Sequence, residues 1–265
     1  DLVHTWIYAA NCYGRQAARS AGVKHIVAGE RCVDQWKEWH EFAIDRHFAR
    51  RTDRIVTNSS GVVDFYTEHG IARDKFKIIP NGIDVADYTP NREKESDSVV
   101  FLGRNDERKG LPVLLEAWPH VLEQHPQATL TVVGADADAA PPSGVTFAGR
   151  VSEADKIGHL PRSAIYCAPN RSCESFGIVV AEGMAAGCAV VASGLPACVR
   201  VAGDSATFVA PGYHEGLARE IGDLLTHPDR ISRMGSAGAA AVRRFDGEAV
   251  AAGNIDAYAT ALGNS

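Results

Sequence analysis

Two carboxylates and two cations carry the chemical potential of this sequence. Residues 170–191 read NRSCESFGIVVAEGMAAGCAVV, with Glu174 in a short polar loop. Ser175-Phe176-Gly177 then turn the chain into an apolar run that holds one charge, Glu182, and ends at Gly187. Read as a helix, this run leaves the backbone N–H groups of Phe176, Gly177 and Ile178 without partners, pointing outward beside Glu174. Glu182 lies at most ~12 Å along that helix at 1.5 Å rise per residue. An unpaired carboxylate among such apolar neighbours would be costly, so Glu182 needs a partner or a ligand. The spacing alone is weak, because Glu30 and Glu38 repeat it.

The cations belong to residues 103–110, GRNDERKG. Gly103 lets the backbone turn closely, and Arg104 and Lys109 can reach one anion. Lys109 precedes a helix, where the macrodipole disfavours a cation by a few tenths of a kcal/mol (roughly 0.3) unless an anion offsets it. The bland alternative is a charged surface loop in which Asp106 and Glu107 pair with Arg108 and Lys109. For Glu174 and Glu182 it is a helix cap and a local ion pair. A ligand with a sugar at one end, phosphates in the middle and a ribose at the other would span the two carboxylates.

The elements that must hold these side chains alternate between short apolar runs and helical patterns, which predicts βα units and parallel sheets. Strands are expected at 1–6, 24–29, 54–57 and 76–79, with helices at 8–21, 35–51 and from Asn58 or Ser59 to Gly70. Residues 87–98 are polar and charged and read as a linker. A second α/β series follows, with strands at 99–103, 129–134, 145–148, 165–168, 188–193 and 206–210. Its helices are expected at 111–124, 178–187, 213–226, 228–241 and 247–261, and 136–144 is expected to be an exposed loop. Two Rossmann-like halves imply a cleft between them, with binding groups at strand C-termini.

The 265 residues are 45% hydrophobic and 23% charged, enough for one or two domains. A net charge of −6 argues against a nucleic-acid partner bound through overall charge. Six cysteines (Cys12, Cys32, Cys167, Cys173, Cys188 and Cys198) show no C-x-x-C spacing and are expected to be reduced core residues of a cytoplasmic protein. The longest uncharged stretch, 183–199, is broken by Gly187, Gly194 and Pro196 and predicts no membrane span. A basic edge formed by Arg46, His47, Arg50, Arg51 and Arg54 at the end of the 35–51 helix reads either as a solvated helix end or as a peripheral contact with anionic lipid. The chain opens directly on a buried-strand pattern without an initiator Met, which leads us to expect part of a longer chain.

LGRNDERKG (102–110), FAGRVSEADKIGHL (147–160) and APNRSCESFGIVVAEGMAAGCAVVAS (168–193) together resemble the retaining glycosyltransferases of family 4, or group 1. RIVTNSSGVVDFY (54–66) and FKIIPNGID (76–84) match the segment that this family places before its interdomain linker. The likeness covers nearly the whole chain and is nearest to the bacterial phosphatidylinositol mannosyltransferase-like group. It implies an α/β GT-B fold of two Rossmann-like domains, the N-terminal one incomplete. Residues 1–86 would form the acceptor side, 87–98 the linker, 99–243 the donor domain, and 244–265 a helix returning to the first half.

By position, the resemblance implies that Arg104 and Lys109 neutralise a leaving diphosphate and that Glu174 holds the donor sugar's hydroxyls. It makes Phe176, Gly177 and Ile178 backbone donors and Glu182 the ribose carboxylate. Gly103 would pass close to the phosphates, and Gly149, Arg150 and Val151 would line the base. No metal or other cofactor is implied, since Arg and Lys supply the charge. The partners would be a nucleotide sugar and a sugar, glycan or lipid-linked acceptor, at or near the inner face of a membrane. His4 and Arg31 are the acceptor-side candidates; for His4 the alternative is a satisfied core histidine. Arg31 stands nearest to where relatives often have His, and Gly194-Leu195-Pro196-Ala197 lacks the Glu of the relatives' turn. The expected function is hexosyl transfer from a nucleotide diphosphate sugar to an acceptor hydroxyl. The alternatives are a sugar phosphorylase, a nucleotide-sugar epimerase, or a fragment that binds nucleotide sugar without turnover.

Overall fold

The computed structural model describes residues 1–88, 93–137, 140–172 and 174–263. Expectations for Cys173, for 89–92 of the linker and for 138–139 of the loop lie outside the described residues. The chain divides into two compact units. One is Asp1–Gly82 with the chain from Gly247 onward, and the other is Ile83–Asp246.

The first unit runs β1 (Leu2–Trp6), α1 (Tyr8–Ser20), β2 (His25–Glu30), α2 (Trp39–Ala49), β3 (Arg54–Thr57), α3 (Ser60–Glu68) and β4 (Phe76–Ile78). Its four strands are parallel, in the order β1-β2-β3-β4. Phe42, Ile55, Val62 and Tyr66 pack on one face. Helix α2 starts at Trp39, later than 35–51 predicts. Glu38 and Glu41 form a capping box at its head, and the preceding turn is pinned by the buried Lys37. Arg54 opens β3, as predicted, and so lies beyond the helix end that carries the other residues of the basic edge. The reason is Asp53, whose carboxylate accepts from Ile26 N–H (2.7 Å) and whose N–H donates to Ile26 O (2.8 Å), turning the chain into the sheet.

The second unit contains β5 (Glu95–Leu102), α4 (Leu111–Gln124), β6 (Thr129–Val133), β7 (Val145–Gly149), α5 (Glu153–His159), β8 (Ser163–Ala168) and α6 (Ile178–Ala185). It continues through β9 (Ala189–Ser193), α7 (Pro196–Ala202), β10 (Ala206–Val209), α8 (His214–Thr226) and α9 (Pro228–Ala241). Six parallel strands lie in the order β10-β9-β8-β5-β6-β7. Alternation along β5 sends Val99 and Phe101 to the face covered by α4 and α8, where Leu114, Trp118, Leu217, Ile221 and Leu224 share one core with them. Val100 faces the opposite side, among Tyr166, Val180, Met184 and Cys198. The strand order makes β5 and β8 the point where the winding reverses. In folds of this kind ligands bind beyond the C-terminal ends of the strands at such a point.

Helix α10 (Gly247–Ala261) rejoins the first unit, setting Ala257 and Ala261 against Val27, Val56 and Ile79. The units divide between Gly82 and Ile83, ahead of the polar run 87–98. Ile83 and Tyr88 are buried in the second unit, and β5 already begins at Glu95. Helices α5 and α7 are additions to the predicted elements. Both have seven residues, too short for a periodic signal. Cys167, Cys188 and Cys198 are buried as expected, but Cys12 is half-buried and Cys32 exposed; no disulfide links the described cysteines. Among the described residues no helix is long and apolar enough to cross a membrane.

Candidate functional site

The loops after β5 and β8 meet at the reversal point. Gly110 adopts φ +74°, and a Cβ there would overlap the carbonyl oxygen of Pro169. A glycine is thus what lets the two backbones touch. Arg171 N–H donates to Arg108 O (2.8 Å), and Arg171 Nη1 donates to Glu107 Oε1 (2.6 Å). These contacts bring Lys109 and Glu174 together across the two loops, with Lys109 Nζ 3.3 Å from Glu174 Oε2.

Glu174 accepts from two further donors: Asn170 Nδ2 (3.2 Å) and the N–H of Gly177 (2.9 Å). The N–H of Gly177 is therefore capped, not free as the sequence suggested. Among the described residues nothing accepts from the N–H of Phe176 or Ile178. Gly177 takes φ +96° at the head of α6, a conformation that favours glycine. The Phe176 side chain is buried against Phe245. Ile178 is partly exposed at the helix start.

Within the first loop, Asp106 accepts from Arg108 through N–H and Nε (3.0 Å each) and Nη2 (2.6 Å). These bonds hold its carboxyl well below the usual carboxylate range. Arg104 lies 4.0 Å from Asp106 with a side chain 76% exposed. It lines a 370 Å³ cavity with Asn105, Asp106, Gly134, Asp136 and Arg150. Lys109 does not line this cavity, so the two cations expected to share one anion have different immediate surroundings. Gly103 donates its N–H to Val133 O (2.9 Å), fixing the start of the loop. Gly149 ends β7, Arg150 is exposed beyond it, and Val151 packs against the core.

Glu182 is 7% exposed on α6. Its Oε1 accepts from Tyr88 OH (3.0 Å) and Lys156 Nζ (2.8 Å). The partner demanded by its apolar helix is thus supplied by the chain. Burial, followed by the Glu182 charge, pushes the Tyr88 hydroxyl up. Desolvation opposes the charge on Lys156, but its bonds to Glu153 and Glu182 raise it overall. Sequence reading missed both partners. Tyr88 lay in an apparent linker and Lys156 on an unpredicted helix, and the one usable signal was the need of Glu182 for a donor.

The acceptor-side candidates lie in the first unit. His4 Nδ1 is 2.8 Å from Tyr258 OH, and its ring is 4.2 Å from that of Trp6. Burial, then the Arg31 charge, lower its pKa to about 4. Arg31 Nη1 donates to Ile79 O (2.9 Å) and Asn81 Oδ1 (3.1 Å), and its guanidinium lies over Trp6. Arg31 lines a 420 Å³ cavity with Trp6, Tyr8, Asp34 and Trp36, whereas His4 does not. The Glu30–Glu38 decoy has structural explanations. Glu30 is buried with Asn11 and Tyr66 as donors, and Glu38 caps α2. Among the described residues no group of three or more His, Cys, Asp or Glu side chains is arranged to hold a metal ion.

Comparison with known proteins agrees with this architecture. The sequence matches the family described as "Glycosyl transferases group 1" over residues 96–227, and "Glycosyltransferase Family 4" over 1–87. It is 38% identical over 205 residues to the phosphatidyl-myo-inositol mannosyltransferase of Mycobacterium tuberculosis, covering 70% of this chain and 54% of that protein. A D-inositol 3-phosphate glycosyltransferase of Segniliparus rotundus is 32% identical over 271 residues, covering 91% of this chain and 59% of that one. The chain therefore spans little more than half the length of these relatives. Among solved structures, Anabaena HepE in complex with UDP superposes with a TM-score of 0.84 at 20% identity, covering 99% of this chain and 79% of that one. The fold is GT-B, and the chain belongs to the family 4, or group 1, glycosyltransferases.

Proposed function

We propose that the protein transfers a hexosyl group from a nucleotide diphosphate sugar to an acceptor hydroxyl, with retention of anomeric configuration and without a metal. The observation that carries this reading is the Lys109–Glu174 pair, held at 3.3 Å where the strand order reverses. A cation and a carboxylate side by side suit the junction between a sugar and its diphosphate. Glu174 would accept from sugar hydroxyls, while Lys109 and Arg104 stabilise charge on the departing diphosphate. The N–H groups of Phe176 and Ile178 would add donors at the head of α6, with Gly103 close by. Glu182 would accept from the ribose hydroxyls, and Gly149, Arg150 and Val151 would line the base. In the transfer itself, the acceptor oxygen bonds to the anomeric carbon on the face from which the diphosphate leaves. Its proton passes to the departing phosphate oxygen. The relatives named for mannosyl transfer to phosphatidylinositol and for D-inositol 3-phosphate, and the UDP complex of HepE, support a nucleotide-sugar donor and a polyol or lipid-linked acceptor. On the acceptor side, Arg31 is the residue with access to a cavity, and His4 would act by supporting Trp6. The exposed edge of Arg46, His47, Arg50 and Arg51 would meet anionic lipid at the inner face of a membrane.

The test is product analysis with a panel of nucleotide sugars. Arg104→Ala and Lys109→Ala should each lower kcat about 100-fold or more, the size of losing one preorganised charge contact. NMR of the product should show the donor's anomeric configuration, and a chelator should leave the rate unchanged. Near-wild-type rates in both variants would remove the diphosphate assignment. Product formed with phosphate alone would indicate phosphorolysis, an isomerised sugar without acceptor would indicate epimerisation, and nucleotide binding without any product would indicate a binding fragment.

A further inference from the structure

The two oxygens of Glu182 are not equivalent. Oε1 takes both the Tyr88 hydroxyl and the Lys156 ammonium, and among the described residues no hydrogen bond reaches Oε2. Tyr88 is 4% exposed and comes from the segment 83–88, which is tied down by the pairing of Ile83 with Asp246. Lys156 is shared between Glu182 and the largely exposed Glu153. Its long side chain can move between these two carboxylates, whereas the Tyr88 ring is fixed in the core. Resting on the reading of Glu182 as the ribose carboxylate, we propose that Tyr88 is a positioning residue for the nucleoside end of the donor. Its hydroxyl, together with Lys156, fixes Oε1 so that Oε2 faces the ribose diol. The raised pKa of the hydroxyl keeps it a donor throughout the working range. Without it, Oε1 depends on Lys156 alone, and the carboxylate can rotate away from the diol or present both oxygens to the ammonium.

The experiment is calorimetric titration of wild-type protein and Tyr88→Phe with UDP and GDP, and with their 2′,3′-dideoxy analogues. Phenylalanine keeps the ring and removes only the hydroxyl; thermal melts check that the variant is folded. Tyr88→Phe should weaken the better ribonucleotide by about three- to tenfold, the effect of one hydrogen bond. It should leave the dideoxy analogue unchanged, because that ligand makes no use of Glu182. In turnover the donor KM should rise while kcat at saturating donor is retained. Equal weakening of ribo- and dideoxynucleotides would reduce Tyr88 to a packing role and overturn the proposal, as would unchanged affinity for both. Glu182→Gln separates the two levels. If it too leaves ribonucleotide binding intact, the ribose assignment itself fails. If it weakens binding and Tyr88→Phe does not, only the role of Tyr88 fails.

Discussion

Lys109 stands just ahead of α4, with only Gly110 between, where the helix dipole disfavours a cation, and Glu174 meets it from another loop at 3.3 Å. The offsetting anion that the sequence assigned to a ligand is thus already in the protein. His4 is the converse case, a group whose surroundings oppose charge. Burial and the neighbouring Arg31 lower its pKa from 6.5 to about 4. Between these values the unfolded chain binds a proton that the folded chain does not, so stability rises with pH across this window. The contribution is complete above pH 6.5 and is lost progressively as pH falls toward 4. Denaturant unfolding at pH 7 and pH 5 should therefore show a smaller pH-dependent loss for His4→Phe than for wild type. Equal losses in the two proteins would mean that His4 titrates normally in the fold.

At the scale of elements, the site depends on one backbone approach. Gly110→Ala would place a methyl group against Pro169 O and force an L-residue to hold φ +74°. Overpacking and the left-handed conformation together should cost about 2–4 kcal/mol in denaturant unfolding and weaken nucleotide binding by separating the two loops. Unchanged stability would show that the loops can part without loss. This contact was not legible in the sequence, because residues 110 and 169 are far apart in the chain. The strands and long helices were legible: 54–57, 111–124, 228–241 and 247–261 match the observed bounds, since apolar periodicity survives in a single sequence. Helices α5 and α7 escaped because seven residues make barely two turns. The start of α2 escaped because Lys37, a residue that reads as exposed, is buried by Asp45 and Tyr66. The same limit applied to Glu182: its need for a donor was visible, but Tyr88, 94 residues away in sequence, was not.

Across the whole molecule, the charges are divided between the units. The proposed donor groups Arg104, Lys109, Glu174 and Glu182 belong to the second unit, whereas Arg46, His47, Arg50 and Arg51 are exposed on the first. A net charge of −6 repels an anionic surface at long range, so any lipid contact must come from this local edge. Each basic residue near such a surface contributes about 1 kcal/mol, and Arg46 is partly committed to His69 O. The edge can therefore supply only a few kcal/mol, roughly 2–3, and its range shrinks with the Debye length, from ~30 Å at 0.01 M salt to ~8 Å at 0.15 M. The expected behaviour is weak, salt-sensitive binding. In flotation with phosphatidylserine vesicles, the protein should rise with the vesicles at 0.01 M salt (~30 Å screening) and largely stay behind above about 0.15 M. Arg50→Glu with Arg51→Glu should abolish flotation while leaving nucleotide binding in the other unit intact. No flotation at low salt, or flotation unaffected by this double substitution, would separate the basic edge from any membrane role.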